Sequence, residues 1–263
     1  MYFIYPVCSS SKGNAVYVGS RENGILFDCG IGIRNLTNAL KLQNIALSAV
    51  KAVFITHEHS DHIKGLSKLS EKIPAPVYGN VPTLREIIAK RAVCPGAKLK
   101  EIDQKAAEVC DFLVRPFRTS HDSVDSMGYH VTLPNGKRFC LATDLGYVSE
   151  DVDCSLCDSD IVLIESNYEE ELLLNGSYPW YLKERIQGDH GHLSNRACAA
   201  EVSRLAQSGV SRFILGHLSE ENNRPEIALA ASAAALADCG VIAGKDCVLT
   251  VAPKMTTGKA VEI

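Results

Sequence analysis

Short apolar runs bounded by polar turns recur along the chain, and each run is typical of a buried strand. In the first half these runs alternate with helical patterns. Ile33, Leu36 and Leu40 recur at the spacing of one helix face and predict a helix between two of the strands. A second helix is expected around Leu84, with Thr83 as its cap. The strands predicted in this half cover residues 15–18, 25–28, 53–55 and 76–79.

The second half begins differently, because two strand-like runs follow residue 112 with no helical pattern between them. Asn135 and Gly136 then separate two apolar runs, which is the strongest short hairpin signal in the sequence. Later runs alternate with helices again: Ser194 is the expected N-cap of one helix and Gly209 its stop, and Pro225 begins another. The strands predicted here cover residues 112–118, 129–133, 139–143, 161–164, 213–216 and 248–251.

The length and composition are typical of an ordinary soluble globular protein. The chain has 263 residues, of which 46% are hydrophobic and 22% charged, so either one large α/β domain or two small ones would fit. No apolar run approaches the roughly 18 residues that a membrane span needs. The N-terminus also lacks a basic region followed by a long apolar stretch. We therefore expect a cytoplasmic protein with no membrane partner.

The cysteine content and the net charge exclude few classes of function. The ten cysteines are scattered without a compact framework, so we expect reduced thiols rather than disulfides. Cys154 and Cys157 form a lone Cys-x-x-Cys that lacks two further ligands for a structural zinc. The formal charge of 27 minus 31, or -4, argues weakly against a nucleic-acid partner. Two bound dications would cancel that charge, so net charge does not decide the substrate.

The segment that follows the strand at residues 53–55 concentrates four candidate metal ligands, His57, His59, Asp61 and His62. Three of the eight histidines in the chain fall within these six positions. Imidazole and carboxylate together suit zinc, manganese or iron rather than calcium or magnesium. The alternative interpretation is a solvated polar loop, and the density of ligands argues against it.

Other predicted strands also end in candidate ligands. Asp28 closes one strand and is either a solvated strand end or a carboxylate that orients a metal-binding histidine from behind; the nearby histidines favour the second role. His121 lies in the loop before the hairpin, Asp144 ends the strand after it, and His217 follows residue 216. Candidate ligands therefore occur at five strand ends. His130, inside a strand, is interpreted as an ordinary strand residue.

These ligands, the strand and helix order and the hairpin together resemble the metallo-β-lactamase fold superfamily, whose His-x-His-x-Asp-His signature is present in full. The resemblance covers nearly the whole chain. It implies a single domain over residues 1–263, an α/β αββα sandwich whose two mixed sheets pack face to face with helices outside. It also implies two divalent metal ions, Zn²⁺ or Mn²⁺, with iron as a further candidate. By this resemblance one metal takes His57, His59 and His121, the other takes Asp61, His62 and His217, and Asp144 bridges them.

The C-terminal third is similar to a narrower group. Residues 191–194 before a helix and residues 215–219 after a strand resemble the tRNA 3′-processing endonucleases and ribonuclease J. The chain also resembles the small stand-alone YycJ or WalJ type, through residues 11–14, 165–167, 178–179, 182–183, 185–186 and 191–195. Tyr168 departs from the histidine expected there. No segment has room for the nucleic-acid clamp or the long arm of the larger enzymes, so their RNA specificity does not carry over.

This narrower resemblance implies a nuclease, most nearly a 5′→3′ exodeoxyribonuclease. A metal-bridging hydroxide would attack phosphorus, Asp61 would act at the catalytic centre, and His192 would give a proton to the leaving oxygen. A loop histidine that caps the following helix is the alternative interpretation of His192, and His190 competes for its role. Two other functions remain: a small-molecule hydrolase of a phosphodiester, lactone or thioester, and a binding or redox module whose metals are structural. The complete ligand set argues against the last of these.

Six residues are candidates for contact with the substrate. Arg115 and Arg118 are expected to reach phosphates only if they are not on a solvated face. Whether the protein forms a homodimer stays open. The remaining candidates, two of them basic residues and two of them neutral donors near His217, are Lys183, Arg185, Ser219 and Asn222.

Overall fold

Two seven-stranded mixed sheets form the centre of the molecule. The computed structural model describes residues 1–254 and 260–263. Sheet A has the strand order β14-β1-β2-β3-β4-β5-β6. Within it β1 to β3 are antiparallel and β3 to β6 are parallel. Its strands are β1 (Phe3–Ser10), β2 (Gly13–Gly19), β3 (Gly24–Phe27), β4 (Val50–Phe54), β5 (Val77–Gly79), β6 (Leu99–Glu101) and β14 (Val261–Glu262).

Sheet B holds the remaining strands in the order β13-β12-β11-β10-β9-β8-β7. The predicted hairpin is confirmed, because β9 and β10 pair antiparallel and Gly136 adopts a φ of 80° in the turn. Strands β10 to β13 are parallel. The strands of this sheet are β7 (Ala107–Val109), β8 (Phe112–Arg118), β9 (Met127–Thr132), β10 (Arg138–Ala142), β11 (Ile161–Glu165), β12 (Arg212–Gly216) and β13 (Val248–Val251).

Nine α-helices occur in the described residues, besides a 3₁₀ turn at Leu47–Ala49. Ser194 caps α8 by accepting from the N–H of Ala197, as predicted. The cap predicted for α4 was wrong: Asn80 caps it, and Thr83 donates its N–H to the Asn80 side chain. The helices are α1 (Ile33–Leu42), α2 (Ser60–Ile63), α3 (Leu66–Lys72), α4 (Val81–Ala89), α5 (Glu150–Cys157), α6 (Glu170–Asn175), α7 (Trp180–Gln187), α8 (Asn195–Gln207) and α9 (Pro225–Asp238).

The side chains alternate along each strand and divide the core into three apolar clusters. One lies between the two sheets, and the other two lie between each sheet and the helices that cover it. In β3, Leu26 packs towards α1 and α3, whereas Phe27 packs against Tyr129 of sheet B. The outer face of sheet B packs against α5, α8 and α9. The layers are thus helices, sheet, sheet and helices, which confirms the predicted α/β sandwich. None of the helices described is long and apolar enough to cross a membrane.

One edge of the sandwich collects the carboxyl ends of parallel strands from both sheets. Strands β3 and β4 end there in sheet A, and β10, β11 and β12 end there in sheet B. The sheets are tied together at this edge, because the Tyr129 hydroxyl donates to the carbonyl of Ile55 at 2.6 Å and the Met127 N–H donates to that of Thr56 at 3.0 Å. Loops leaving the two sheets therefore meet at a fixed spacing.

Candidate metal centre

Strand ends bring the predicted ligands to this edge in a strained backbone. Asp28 and His217 directly follow β3 and β12, Asp144 lies two residues after β10, and the three have φ values of 58°, 54° and 61°. Such left-handed conformations cost a non-glycine residue on the order of 1–3 kcal/mol. Three residues of the cluster therefore adopt this strained conformation.

A first group of ligand atoms comes from His57, His59 and His121, whose ring nitrogens lie within 4.8 Å of one another. Nε2 of His121 is 3.3 Å from Nδ1 of His59. His57 is fully buried, and the Thr56 hydroxyl lies 3.1 Å from its Nδ1. With Nδ1 engaged there, Nε2 is the nitrogen available to a metal.

A second group comes from Asp61, His62 and His217. Oδ2 of Asp61 lies 3.3 Å from Nε2 of His62 and 3.5 Å from Nε2 of His217. The Asn14 side-chain amide donates to the same Asp61 oxygen at 3.3 Å, a contact that the sequence analysis did not anticipate. These atoms also lie within 4.8 Å of one another, so they can hold a single ion.

Asp144 lies between the two groups. Its Oδ1 is 3.6 Å from Nε2 of His121 and 3.5 Å from Nε2 of His217, and its Oδ2 is 3.5 Å from Nε2 of His62. Asp144 as a whole residue is only 2% exposed. One buried carboxylate therefore faces ligands of both groups, which is the geometry expected of a bridge.

Asp28 contacts His62 from the side away from the cluster. Its Oδ2 lies 2.8 Å from Nδ1 of His62, while Thr56 donates its N–H and its hydroxyl to the two carboxylate oxygens at 2.9 Å. Burial raises the pKa of Asp28, and His62 acts against that rise. This contact fixes the ring orientation of His62 and leaves Nε2 pointing at Asp61.

Glu165 is another site residue to which the sequence analysis assigned no role. It ends β11, is fully buried, and brings Oε1 within 2.7 Å of Nδ1 of His217 and 2.8 Å of Nδ1 of His192. Its Oε2 accepts from the N–H groups of Leu145 and Leu193. The available signal was an acid that closes an apolar strand, the same signal that marked Asp28.

A cavity of about 220 Å³ opens over the cluster. His192 lines it, whereas His190 does not and instead lies with its Nδ1 3.3 Å from the Ser120 hydroxyl. Arg185 and Ser219 also line it. Arg185 is held by a two-point contact with Asp122, one arm of which is 3.0 Å long.

Other predicted substrate contacts lie elsewhere. Lys183 is buried and donates to the carbonyls of Leu174 and Gly176 at 2.7 and 2.8 Å, so it does not line the cavity. Asn222 is buried behind Ser219, whose hydroxyl accepts its N–H.

The remaining predicted cations and polar residues also lie away from the cavity. Arg115 pairs with Asp158, and Arg118 pairs with Asp103 and Asp125. Tyr168 is buried and accepts the N–H of Asn195 through its carbonyl.

The carboxylates of the cluster create a negative local field around its histidines. Burial disfavours the charged form of His217, but Asp144, Asp61 and Glu165 outweigh it and raise its pKa to about 10. His62 shows the same direction, with a pKa well above its usual value, because Asp61, Asp144 and Asp28 surround it. Buried carboxylates thus dominate the local field, which favours bound cations.

Buried polar atoms without a hydrogen-bond partner also point to a bound cation. Among the described residues, Nε2 of His57, Nε2 of His217 and Oδ2 of Asp144 are buried without a hydrogen-bond partner. An unpaired buried polar atom costs about 1–3 kcal/mol. In their deprotonated forms all three carry lone pairs that can bind a metal, so the donor set is compatible with divalent cations.

Sequence comparisons identify the family. A family model described as the beta-lactamase superfamily domain matches residues 23–218. The chain is 35% identical over 225 residues to the exodeoxyribonuclease WalJ of Streptococcus pneumoniae, covering 84% of this chain and 83% of that protein. It is 33% identical over 225 residues to the exodeoxyribonuclease YycJ of Bacillus anthracis, covering 84% of each.

Among solved structures, the metallo-β-lactamase fold protein YhfI from Bacillus subtilis is similar with a TM-score of 0.69, covering 98% of both chains at 14% identity. At that identity the similarity concerns the fold alone. The family itself is shown by the matched domain and by the two relatives. The chain therefore belongs to the beta-lactamase superfamily and is a hydrolase with the metallo-β-lactamase fold.

Proposed function

We propose that the chain, acting as one domain, is a two-metal nuclease that removes nucleotides from the 5′ end of DNA. The substrate class follows from the relatives that are named exodeoxyribonucleases. The observation that carries the chemistry is the sharing of Glu165 by His192 and His217. This contact supports the role of His192 as a proton donor beside the ligand cluster.

His57, His59 and His121 would hold one divalent cation, Asp61, His62 and His217 the other, and Asp144 would contact both. When bound, such cations supply a water acidified towards neutral pH and charge neutralisation at phosphorus. Asp61 faces the cavity with 21% of its side chain exposed, against 3% for Asp144. It is therefore the carboxylate that accepts a hydrogen bond from the attacking water and orients it.

His192 would supply the proton that the leaving oxygen needs. Its Nδ1 donates to Glu165, so Nε2 is the nitrogen that hands a proton to substrate. Glu165 accepts the hydrogen bond of that ring and thereby fixes its orientation. His190 lies outside the cavity lining and is not part of this step.

A second candidate function, a small-molecule metallo-hydrolase, is favoured by one observation. The cavity of about 220 Å³ is smaller than the roughly 300–1,000 Å³ of ordinary ligand clefts. A small phosphodiester, lactone or thioester would reach the cluster as readily as a polymer end.

Metal-loaded protein separates the two functions. We would incubate it with Mn²⁺ or Zn²⁺ and end-labelled DNA, beside bis-p-nitrophenyl phosphate as a generic ester. The nuclease releases mononucleotides; hydrolysis of the small ester alone supports the second function. His192→Ala should lower DNA turnover about 10²- to 10⁴-fold with metal content unchanged, whereas Asp61→Ala should lower both. His190→Ala is the matched control and should retain activity; equal activity of the two histidine variants would contradict the assignment.

A further inference from the structure

The hairpin formed by β1 and β2 ends between the chain segments that carry the second group of ligands. On one side Ser10 forms an isolated parallel bridge with Leu218, the residue after His217. On the other side the loop after β3 packs tightly against the hairpin and against Asp61. A Cβ on Gly30 of that loop would lie 1.5 Å from the Asp61 carbonyl oxygen and 2.7 Å from a backbone nitrogen of β2. The hairpin is therefore in contact with both segments.

The side chain of Asn14 reaches from this hairpin to two ligands. Asn14 is buried, and its Nδ2 donates to the carbonyl of Ser10 at 3.0 Å and to Oδ2 of Asp61 at 3.3 Å. The same nitrogen lies 3.1 Å from Nε2 of His62. One N–H is thus used within the hairpin, and the other is directed at the second group of ligands.

Ser9 extends this contact to His217, the remaining member of the group. Its hydroxyl accepts the backbone N–H of His217 at 2.9 Å and donates to Oδ1 of Asn14 at 3.3 Å. The left-handed backbone of His217 persists only where surrounding contacts hold it, and this hydrogen bond is one of them. Ser9 and Asn14, which we call the hairpin pair, therefore link His217 to Asp61.

The first group of ligands is oriented by different residues. The Thr56 hydroxyl lies 3.1 Å from Nδ1 of His57, and the carbonyl of Gly191 lies 3.1 Å from Nδ1 of His121. Neither of these partners belongs to the hairpin. The two groups thus have separate supports, so a change in the hairpin pair should affect one group and spare the other.

An uncharged donor suits the place that Asn14 occupies. A lysine or an arginine there could also donate to Asp61, but its positive charge would oppose a cation bound nearby. A carboxylate there would repel the Asp61 carboxylate and could not donate to it when ionised. The amide of Asn14 holds Asp61 in place without adding charge to the site.

We propose that Ser9 and Asn14 are positioning residues that set the affinity of the second metal position, an inference that rests on the two-metal centre of the proposed function. Partners that orient metal ligands are worth about 10- to 100-fold in metal affinity. The hairpin pair acts through Asp61 and His217. Its loss should therefore empty one metal position and leave the other filled.

Asn14→Leu is the direct test, because leucine has the branched shape of asparagine but neither donates nor accepts hydrogen bonds. Each protein is titrated with Zn²⁺ against a coloured chelator. The unaltered protein should bind two zinc ions, and in Asn14→Leu one of them should bind about 10- to 100-fold more weakly. Ser9→Ala should weaken the same ion.

Titration with Co²⁺ provides a spectroscopic readout that does not depend on activity. In Asn14→Leu the visible absorption bands from the first equivalent should match those of the unaltered protein. The bands from the second equivalent should appear only at a higher Co²⁺ concentration.

Double variants identify the position that is lost. Asn14→Leu combined with His217→Ala damages a single position twice, so it should keep one zinc ion, as either change alone does. Asn14→Leu combined with His121→Ala damages both positions and should keep none.

Asn35→Leu and Ser48→Ala are matched controls at exposed positions of α1 and of the 3₁₀ turn, and they should bind zinc as the unaltered protein does. A native melting transition is checked for each variant, and Ser9→Ala serves if Asn14→Leu does not fold.

Unchanged affinity for both zinc ions in Asn14→Leu and Ser9→Ala would overturn the role of the hairpin pair and leave the proposed function standing. Equal weakening of both ions in a folded single variant would overturn it as well. If the unaltered protein binds fewer than two zinc ions at saturation, the two-metal centre fails and this inference fails with it.

Discussion

His192 and His217 share a single acceptor, because Nδ1 of each lies within 2.8 Å of the same carboxylate oxygen, Oε1 of Glu165. The other oxygen of Glu165 accepts two backbone N–H groups, so the carboxylate cannot turn without losing several bonds. Hydrogen bonds to an ionised acceptor are about twice as strong as neutral ones. The orientation of a candidate metal ligand and that of the candidate proton donor are therefore set together.

Glu165→Gln tests this coupling. The amide has the shape of the carboxylate, but its NH₂ group would face either two ring N–H groups or the N–H groups of Leu145 and Leu193. Two donors cannot bond, so both histidines should shift. We expect DNA or ester turnover to fall about 10- to 100-fold, with weaker zinc retention in dialysis followed by elemental analysis.

Glu171→Gln, at an exposed position of α6, is the matched control and should behave as the unaltered protein. If Glu165→Gln retained both its metal and its turnover, the negative charge of Glu165 would not be what orients the two histidines.

Asp28→Asn tests the support behind His62. Asparagine tolerates the left-handed backbone that Asp28 adopts, so the substitution removes charge with little added strain. The side chain can no longer accept from Thr56 and His62 through two equivalent oxygens. We expect zinc affinity to fall about 10- to 100-fold in a competition titration with a coloured chelator. Affinity equal to that of the unaltered protein would mean that Thr56 alone suffices to orient His62.

Much of this arrangement was predictable because it depends on short-range patterns. The 57–62 motif, Asp144 and His217 could be recognised because an apolar run followed by a polar ligand marks a strand end, and parallel strands end at one edge. The hairpin followed from Asn135 and Gly136 in the same way. The direction of the strands brings the ligands at their ends to the same edge.

The errors and omissions depend on packing between distant segments. Glu165 carried the same strand-end signal as Asp28, but its two histidine partners come from the loop before α8 and from the end of β12. From the sequence, Lys183 was a candidate for binding phosphate. In the structure its ammonium instead donates to two carbonyls at the end of α6, a contact that depends on how α6 packs against α7. Thr83 was a reasonable cap by type, but Asn80 lies three residues earlier and makes the bond.

Gly191→Ala tests the contact between α7 and the His192 segment. The new Cβ would overlap the Ile186 carbonyl and force the two segments apart. Overpacking of this kind costs about 1–3 kcal/mol, and we expect the melting temperature to fall by a few degrees, together with turnover. Gly32→Ala is the control, since a Cβ there meets nothing within 4 Å. An unchanged melting temperature for Gly191→Ala would show that the contact is loose in solution.

Removal of metal should destabilise the fold through the charges that it leaves behind. The cluster holds the buried carboxylates of Asp28, Asp144 and Glu165 and the partly exposed carboxylate of Asp61, so cations bound there stabilise the folded state and not the unfolded chain. At a free zinc concentration of about 100 times Kd, one site adds about 2.7 kcal/mol. We expect the melting temperature, measured by circular dichroism, to rise with added Zn²⁺ and to fall with a chelator. Asp144→Asn should reduce this dependence, because its two oxygens face ligands of both groups. A melting temperature insensitive to zinc and chelator in the unaltered protein would contradict metal binding at this edge.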